Sequence, residues 1–349
     1  MRYYTPGHGL VADSLIMHGF VKLVHVSGSL SGRVRRLGER FEMEADQVDW
    51  DRYREWELHE FVKVAVDRDV DVGPLEDLRR SAIDVAGFPT WKKRLKEALD
   101  VLPTVFDLSV DHAERFKEGR RKGGKGYTLY LPISLTFGKY NVVDYSVMDS
   151  AYTVCPSCFA LATLGYIYGA TKVRIGAGND FVVYNIAAVP GDELNLVDLV
   201  ALQRLAGLVE IWGGERAGKG INALGALVYA LSFGETVMAV ERPIDFVVWR
   251  TERSGNNQRA MAEGIYRGRR LLEALARLKL YFPRWPNAVR RLSGDVLNAV
   301  GEYLVFGGDA YAVVRDIVRD LRSDKRGGGG SRAFDVEPIA KVLLSLQSQ

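Results

Sequence analysis

The chain has 349 residues, 47% hydrophobic, 26% charged and 10% aromatic, with a formal net charge of +3. That is long enough for two or more domains and a core that needs no disulfide staples. Only Cys155 and Cys158 occur, which excludes a secreted disulfide framework, and the first residues lack the charged and apolar regions of a signal peptide. Residues 151–170 carry no charge, but Pro156, Gly165 and Gly169 make them a poor membrane span. A cytoplasmic location is the expectation. Only five glutamines occur, beside abundant arginine, glutamate and valine, which points to a thermophilic source.

In chain order, the turn Pro6-Gly7-His8-Gly9 opens a predicted helix over 9–23, with Leu10, Ser14, Met17 and Val21 on one side. Residues 39–77 hold fourteen acids against five bases; within them 50–66 is predicted as a helix with strand character in its second half. A basic glycine-rich loop follows at 119–126. Tyr127, Leu129, Leu131, Ile133, Leu135 and Phe137 then alternate with polar residues as in a half-buried strand, with Pro132 at an edge or bulge. A helix is predicted over 158–168, and a hairpin joins 171–175 to 181–188. Helices over 194–212 and 221–231 precede a second hairpin over 236–250, turning at Arg242-Pro243. Beyond Ser254 the pattern is helical throughout. Val289, Leu292, Val296 and Val300 share a face, as do Val313, Ile317 and Leu321, and Ile339, Val342, Leu343 and Leu346. The expected fold is α+β. A mixed domain over 1–250, with β-hairpins and helices, precedes an all-helical bundle over 251–349 whose first helix is basic. The GGGGS run at 327–331 reads as a mobile loop.

Charge is distributed unevenly. Residues 250–291 contain eleven bases and three acids. On a helix, Met261, Ile265, Leu271, Leu272 and Leu275 would form one face, with Arg259, Arg267, Arg270 and Arg277 opposite. Such a stripe can follow a phosphate backbone; a solvated face is the alternative. Arg115, Lys117, Arg120, Arg121, Lys122 and Lys125, interleaved with glycines, form a second candidate phosphate-binding segment. Asn256, Asn257 and Gln258, just before the basic helix, are candidate base readers or helix caps. The acidic segment would then face protein neighbours.

Three further motifs carry alternatives. Residues 213–220, Gly-Gly-Glu-Arg-Ala-Gly-Lys-Gly, nearly match a P-loop, but Gly220 stands where a Mg²⁺-binding hydroxyl is required, and the preceding segment reads as a helix rather than a strand. Cys155-Pro156-Ser157-Cys158 opens a helix, an arrangement that suits a redox pair, half of a zinc site, or a structural pair without metal. The five histidines show no ligand spacing to it, and His8 and His18 have no evident partner. A thiol redox or zinc-dependent protein using Cys155 and Cys158 is therefore the alternative to nucleic-acid binding.

The opening Tyr3-Tyr4-Thr5-Pro6-Gly7-His8-Gly9-Leu10-Val11-Ala12-Asp13, followed by an apolar helix, resembles the large subunit of archaeal type I-A CRISPR interference complexes, the Cascade assemblies. The helix-opening Cys155-Pro156-Ser157-Cys158, the hairpin at 172–189 and the helical last third are similar to that family too. The resemblance implies a non-catalytic subunit near the 5′ end of a guide RNA. It would help recognise the short motif flanking the DNA target and support the opened duplex, while guide pairing reads the target. Partners would be guide RNA, target DNA and the other complex subunits, with no membrane and no small-molecule substrate. Many relatives carry a four-cysteine zinc site; here only Cys155 and Cys158 fit such a pattern. No cofactor is expected, with zinc left as the open alternative.

Overall fold

The structure, a computed structural model, describes residues 1–59, 76, 79–80, 88–121, 126–129, 132–133, 151–177, 180–211, 220–233, 243–254, 257–323 and 336–346. Strand β1 (Arg2–Tyr4) leads through the predicted turn into α1 (Leu10–Val26). Gly7 and Gly9 adopt φ of 93° and 91°, backbone that a side chain would strain. Nearly every residue of α1 from Val11 to Val24 is buried, as expected of a helix apolar on all sides.

Next come β2 (Gly32–Leu37), β3 (Arg40–Ala45), α2 (Trp50–His59) and α3 (Phe88–Val105). The second half of the predicted element at 50–66 lies outside the described residues. They continue with α4 (His112–Arg115), β4 (Gly119–Arg121), β5 (Tyr127–Thr128), β6 (Ala151–Val154) and α5 (Pro156–Gly169). The predicted strand from Tyr127 is described as extended only through Thr128. Pro132 and Ile133 form a buried turn instead, and the Trp249 indole N–H donates to the Pro132 carbonyl at 2.8 Å. A proline has no ladder donor, which suits the turn; Leu131, Leu135 and Phe137 of the predicted strand lie outside the described residues.

The predicted hairpin is present as β7 (Ala170–Ala177) and β8 (Asp180–Pro190). After β9 (Glu193–Asn195), the helix expected over 194–212 divides into α6 (Leu196–Gln203) and strand β10 (Gly207–Ile211). The helix ends at Gln203, and Gly207 opens the strand, which pairs in parallel with β7 from Gly207↔Thr171 to Ile211↔Ile175. Then follow α7 (Ala223–Phe233), β11 (Ile244–Ser254) and β12 (Asn257–Arg267). Strands β11 and β12 form a hairpin; β11 covers the second arm of the hairpin predicted over 236–250, and its first arm, 236–242, lies outside the described residues. Strand β11 runs through residue 250, and the wholly helical architecture starts after Arg267. It comprises α8 (Arg269–Tyr281), α9 (Trp285–Arg291), α10 (Gly294–Phe306), α11 (Ala310–Ser323) and α12 (Glu337–Ser345). The glycine–serine run at 327–331 lies outside the described residues.

The fold is α+β, with three sheets among the described residues. One has strand order β1-β3-β2-β9, the second β10-β7-β8-β11-β12 and the third β4-β6-β5. The second is mixed, antiparallel except for β10 against β7. Helices α1 and α5 cross so closely that Gly19 and Gly165 lie against each other's helix backbone. The apolar faces predicted for the last four helices are all buried. One continuous core joins them to the central helices and sheets.

Inside that core, His18 is fully buried. Its Nε2 lies 2.6 Å from the Ala188 carbonyl, and Nδ1 lies 3.4 Å from the Gln203 amide nitrogen. The neutral ring, donating from Nε2 and accepting at Nδ1, satisfies both contacts. Burial pulls its pKa from 6.5 down to about 4, against the opposing pull of the Ala188 carbonyl. Because the unfolded chain takes up a proton at higher pH than the folded one, stability falls as pH drops from 6.5 toward 4. The loss reaches about 3 kcal/mol. His18→Gln is expected to flatten this part of the acid profile, read as urea midpoints across that window.

Candidate functional site

The polar residues of the opening motif converge on a buried cluster. Asp13, fully buried, accepts from the Gly7 N–H at 2.9 Å and so pins the turn to the first turn of α1. Burial pushes its carboxyl up, opposed by that N–H, His8, Thr5 and Arg40. The same turn aims His8 inward. Its Nε2 lies 2.8 Å from Glu118 Oε2, and its Nδ1 lies 2.8 Å from the Tyr152 hydroxyl.

Glu118 is turned inward by an unusual helix end. The Glu118 N–H bonds to the Ala113 carbonyl and the Lys117 N–H to the Glu114 carbonyl, a Schellman closure that needs a left-handed residue. Lys117 fills that position at φ 53°, the one such non-glycine among the described residues. Such a residue costs about 1 kcal/mol relative to glycine. The reversal brings Glu118 beside Cys155 and Cys158, which open α5. Cys155 is its N-cap, its sulfur accepting from the Cys158 N–H at 3.4 Å, and Pro156 holds the first turn.

His112, at the start of α4, completes the group. Its Nε2 lies 3.4 Å from Cys155 Sγ, 3.2 Å from Cys158 Sγ and 3.4 Å from Glu118 Oε1. Glu118 Oε2 lies 3.6 Å from Cys158 Sγ. One donor atom from each of these four residues falls within 4.8 Å of the others. The two thiols are driven in opposite directions. The Cys158 hydrogen bond lowers the Cys155 thiol to about 6; burial opposes this and the His112 contact assists it. Burial, reinforced by its neighbours, raises Cys158 far above the ordinary thiol value. For His112, burial acts downward, but the contacts with Cys155 and Glu118 prevail and hold it near 9. Glu118 is likewise disfavoured by burial as an anion, yet His112 and His8 keep its carboxyl far below the usual range.

Sequence reasoning had found the cysteines and missed His112 and Glu118. They lie 43 and 37 residues before Cys155, with no ligand-like spacing; only the tertiary fold brings them together. Four of the donor separations, 3.2–3.6 Å, are close to the roughly 3.3–3.8 Å that usual zinc–donor lengths set between neighbouring tetrahedral ligands. With two thiolates, an imidazole and a carboxylate, these side chains would hold a buried ion without an open position.

The arginine stripe is not assembled as predicted. Arg259 and Arg267 lie on edge strand β12, whereas Arg270 and Arg277 lie on α8. The expected apolar face is split in the same way, with Met261 and Ile265 exposed and Leu271 and Leu275 buried. Pairing with β11, interrupted only by a bulge at Val248/Trp249, outweighs the helical periodicity of this stretch. Arg259 is paired with Glu252, and Arg250 with Glu263 at 3.1 Å. Arg270 is directed inward, its Nη2 donating to the Leu346 carbonyl at 3.1 Å and its guanidinium 5.1 Å from the Tyr303 ring centre. Arg277 is half-buried beside Glu337 and Lys341. Arg267 is exposed.

In the other basic segment, Arg115 is paired with Asp107, while Lys117 is exposed. The backbone of Arg120 and Arg121 forms β4, opposite Tyr152 and Ala151. Lys122, Lys125 and Asn256 lie outside the described residues. Asn257 and Gln258 open β12 opposite Ser254 and Arg253, so they stand on a strand and not at a helix N-terminus.

Before the near-P-loop, the structure has strand β10 where a helix was expected, at a sheet edge. Residues 213–219 lie outside the described residues. The helix beyond, α7, is capped by Asn222, whose Oδ1 accepts from Leu224 N at 2.9 Å and Gly225 N at 3.0 Å. Amide groups that would face a phosphate are already engaged.

Comparison with known proteins places this arrangement in a family. The family model described as CRISPR-associated protein (Cas_Csa4) matches residues 1–327. The chain is 43% identical to a protein named CRISPR system associated protein Cas8 from Thermoproteus tenax, over 98% of this chain and 97% of that one. It is 23% identical to CRISPR-associated protein Cas8a2/Csa4 from Methanocaldococcus jannaschii, covering 80% and 76% respectively. The resemblance read from the opening motif is thereby upheld: the chain belongs to the Cas_Csa4 family of CRISPR-associated proteins.

Proposed function

We propose that this chain is the non-catalytic large subunit of a type I-A RNA-guided interference complex. In that role it binds guide RNA and target DNA, helps recognise the motif flanking the target and stabilises the opened duplex. The observation that carries this reading is the family match along nearly the entire chain, reinforced by full-length likeness to a protein named Cas8. Among the described residues no helix is long and apolar enough to cross a membrane, which suits a cytoplasmic assembly.

The surface chemistry narrows where polyanion contact would lie. Arg259, Arg250 and Arg115 are neutralised by the chain's own carboxylates, and Arg270 serves the core. Arg267 on the β12 edge and Lys117 at the root of the glycine-rich segment are exposed cations, and Arg120 and Arg121 continue the second site. Acidic residues of 39–59 would face neighbouring subunits. In the assembled complex, Lys117→Glu with Arg267→Glu is expected to weaken target DNA binding by about 10-fold or more. It should also reduce the salt slope by about 1 per lost phosphate contact. Gel-shift titrations at several salt concentrations read both quantities; unchanged affinity and slope would remove these residues from the interface.

A further inference from the structure

We propose that Cys155, Cys158, His112 and Glu118 bind one zinc(II) ion in a closed structural centre, with His8 supporting the carboxylate from the far side. An imidazole Nε2 has either one hydrogen or one lone pair to offer, yet three acceptor or donor atoms converge on His112 Nε2 at 3.2–3.4 Å. A hydrogen bond from Nε2 reaches only one of the three; Glu118 Oε1 also accepts from the Cys155 N–H, and Cys158 Sγ lies 3.6 Å from Glu118 Oε2. A cation at the centre satisfies all four side chains together.

Burial strengthens the case. Cys158 and His112 are fully buried, and the Glu118 side chain is 1% exposed. A buried carboxylate, an imidazole and two sulfurs gathered out of water offer a cation a complete ligand set without competing solvent. The outer contacts are those a metal site uses. His8 Nε2 meets the Glu118 oxygen Oε2, and Tyr152 in turn holds His8 at Nδ1. Donor softness selects zinc over magnesium, calcium or manganese, because two of the four donors are sulfur. Four protein donors leave no position for substrate, so the role is structural.

The consequence is mechanical. Glu118 immediately precedes β4, so the ion would fasten the root of the basic glycine-rich segment to α5. Through His8 it would also fasten the Pro6-Gly7-His8-Gly9 turn. Three stretches distant in sequence thus share one anchor.

The test is metal analysis of the untagged full-length chain, purified under reducing conditions without added metal. About one zinc per chain is expected. Cys155→Ala, Cys158→Ala and His112→Ala should each lower zinc content at least 10-fold. His8→Gln should retain zinc with affinity weakened about 10- to 100-fold. Should the ligand variants fail to fold, the wild-type chain reloaded with Co²⁺ supplies the readout: intense tetrahedral d–d bands with thiolate charge transfer are expected. A metal-free wild-type chain would overturn the proposal if its thermal midpoint ignores zinc and chelator and its thiols alkylate freely. So would a Cys155–Cys158 disulfide in place of metal, iron as the native ion, or full zinc content after loss of both cysteines. Nucleic acid takes no part in the measurement, so the outcome is independent of the proposed function.

Discussion

Adding a single methyl group at Gly165 is expected to destabilise the protein by about 3 kcal/mol, well beyond the typical surface change. An ideal Cβ there would stand 1.7 Å from the Leu15 carbonyl oxygen, and one at Gly19 would stand 2.0 Å from the Leu161 oxygen. Both obstacles are helix backbone, which cannot rotate aside as a side chain can. Helix propensity alone makes the opposite forecast, since glycine to alanine in a helix interior gains about 1 kcal/mol. The sign of the measured change therefore separates the two effects. Urea midpoints of Gly165→Ala should fall, and a rise would show that α1 and α5 do not meet at this distance. The double variant with Gly19→Ala should cost less than the sum, because one outward shift of the helices relieves both contacts.

Reversing charge at Arg270 should also act on the fold. This guanidinium satisfies the Leu346 carbonyl at the end of α12 and lies over Tyr303. A glutamate would set a carboxylate against that carbonyl and against the negative face of the ring. Arg270→Glu is expected to cost roughly 2–3 kcal/mol and to loosen α12 first, seen as faster amide exchange over residues 337–346. Arg267→Glu, on an exposed strand edge, should stay within about 0.5 kcal/mol of the parent. Comparable losses in the two variants would contradict the inward orientation of Arg270. Three residues apart, these arginines look equivalent on a helical wheel; the turn at Gly268 between β12 and α8 makes them different.

That pair shows what periodicity could and could not reveal. Strongly patterned stretches were legible: α1, α5, the β7–β8 hairpin and the buried faces of the last helices follow from apolar spacing and turn residues. The stretches that went astray had mixed signals. Residues 257–267 can be drawn as an amphipathic helix, but β11 offers a full ladder of backbone partners, and pairing prevails over a weak helical preference. Residues 207–211 behave likewise beside β7. The candidate centre was half legible. Cys155 and Cys158 stand three residues apart, a spacing visible in any sequence, whereas His112 and Glu118 have no fixed offset from them. Their arrival depends on a left-handed Lys117 and on the seating of α4 against α5.

The amino-acid sequence by itself determined the family, the α+β class and the buried faces of the last helices, because those depend on local pattern and on a motif contiguous in the chain. Tertiary structure alone decided which cations stay in water and which are consumed internally. It also decided which polar groups gather around the two thiols. Both outcomes turn on distances between residues far apart in the chain: Coulombic pairing and metal ligation act over a few ångströms of space, whatever the separation in sequence.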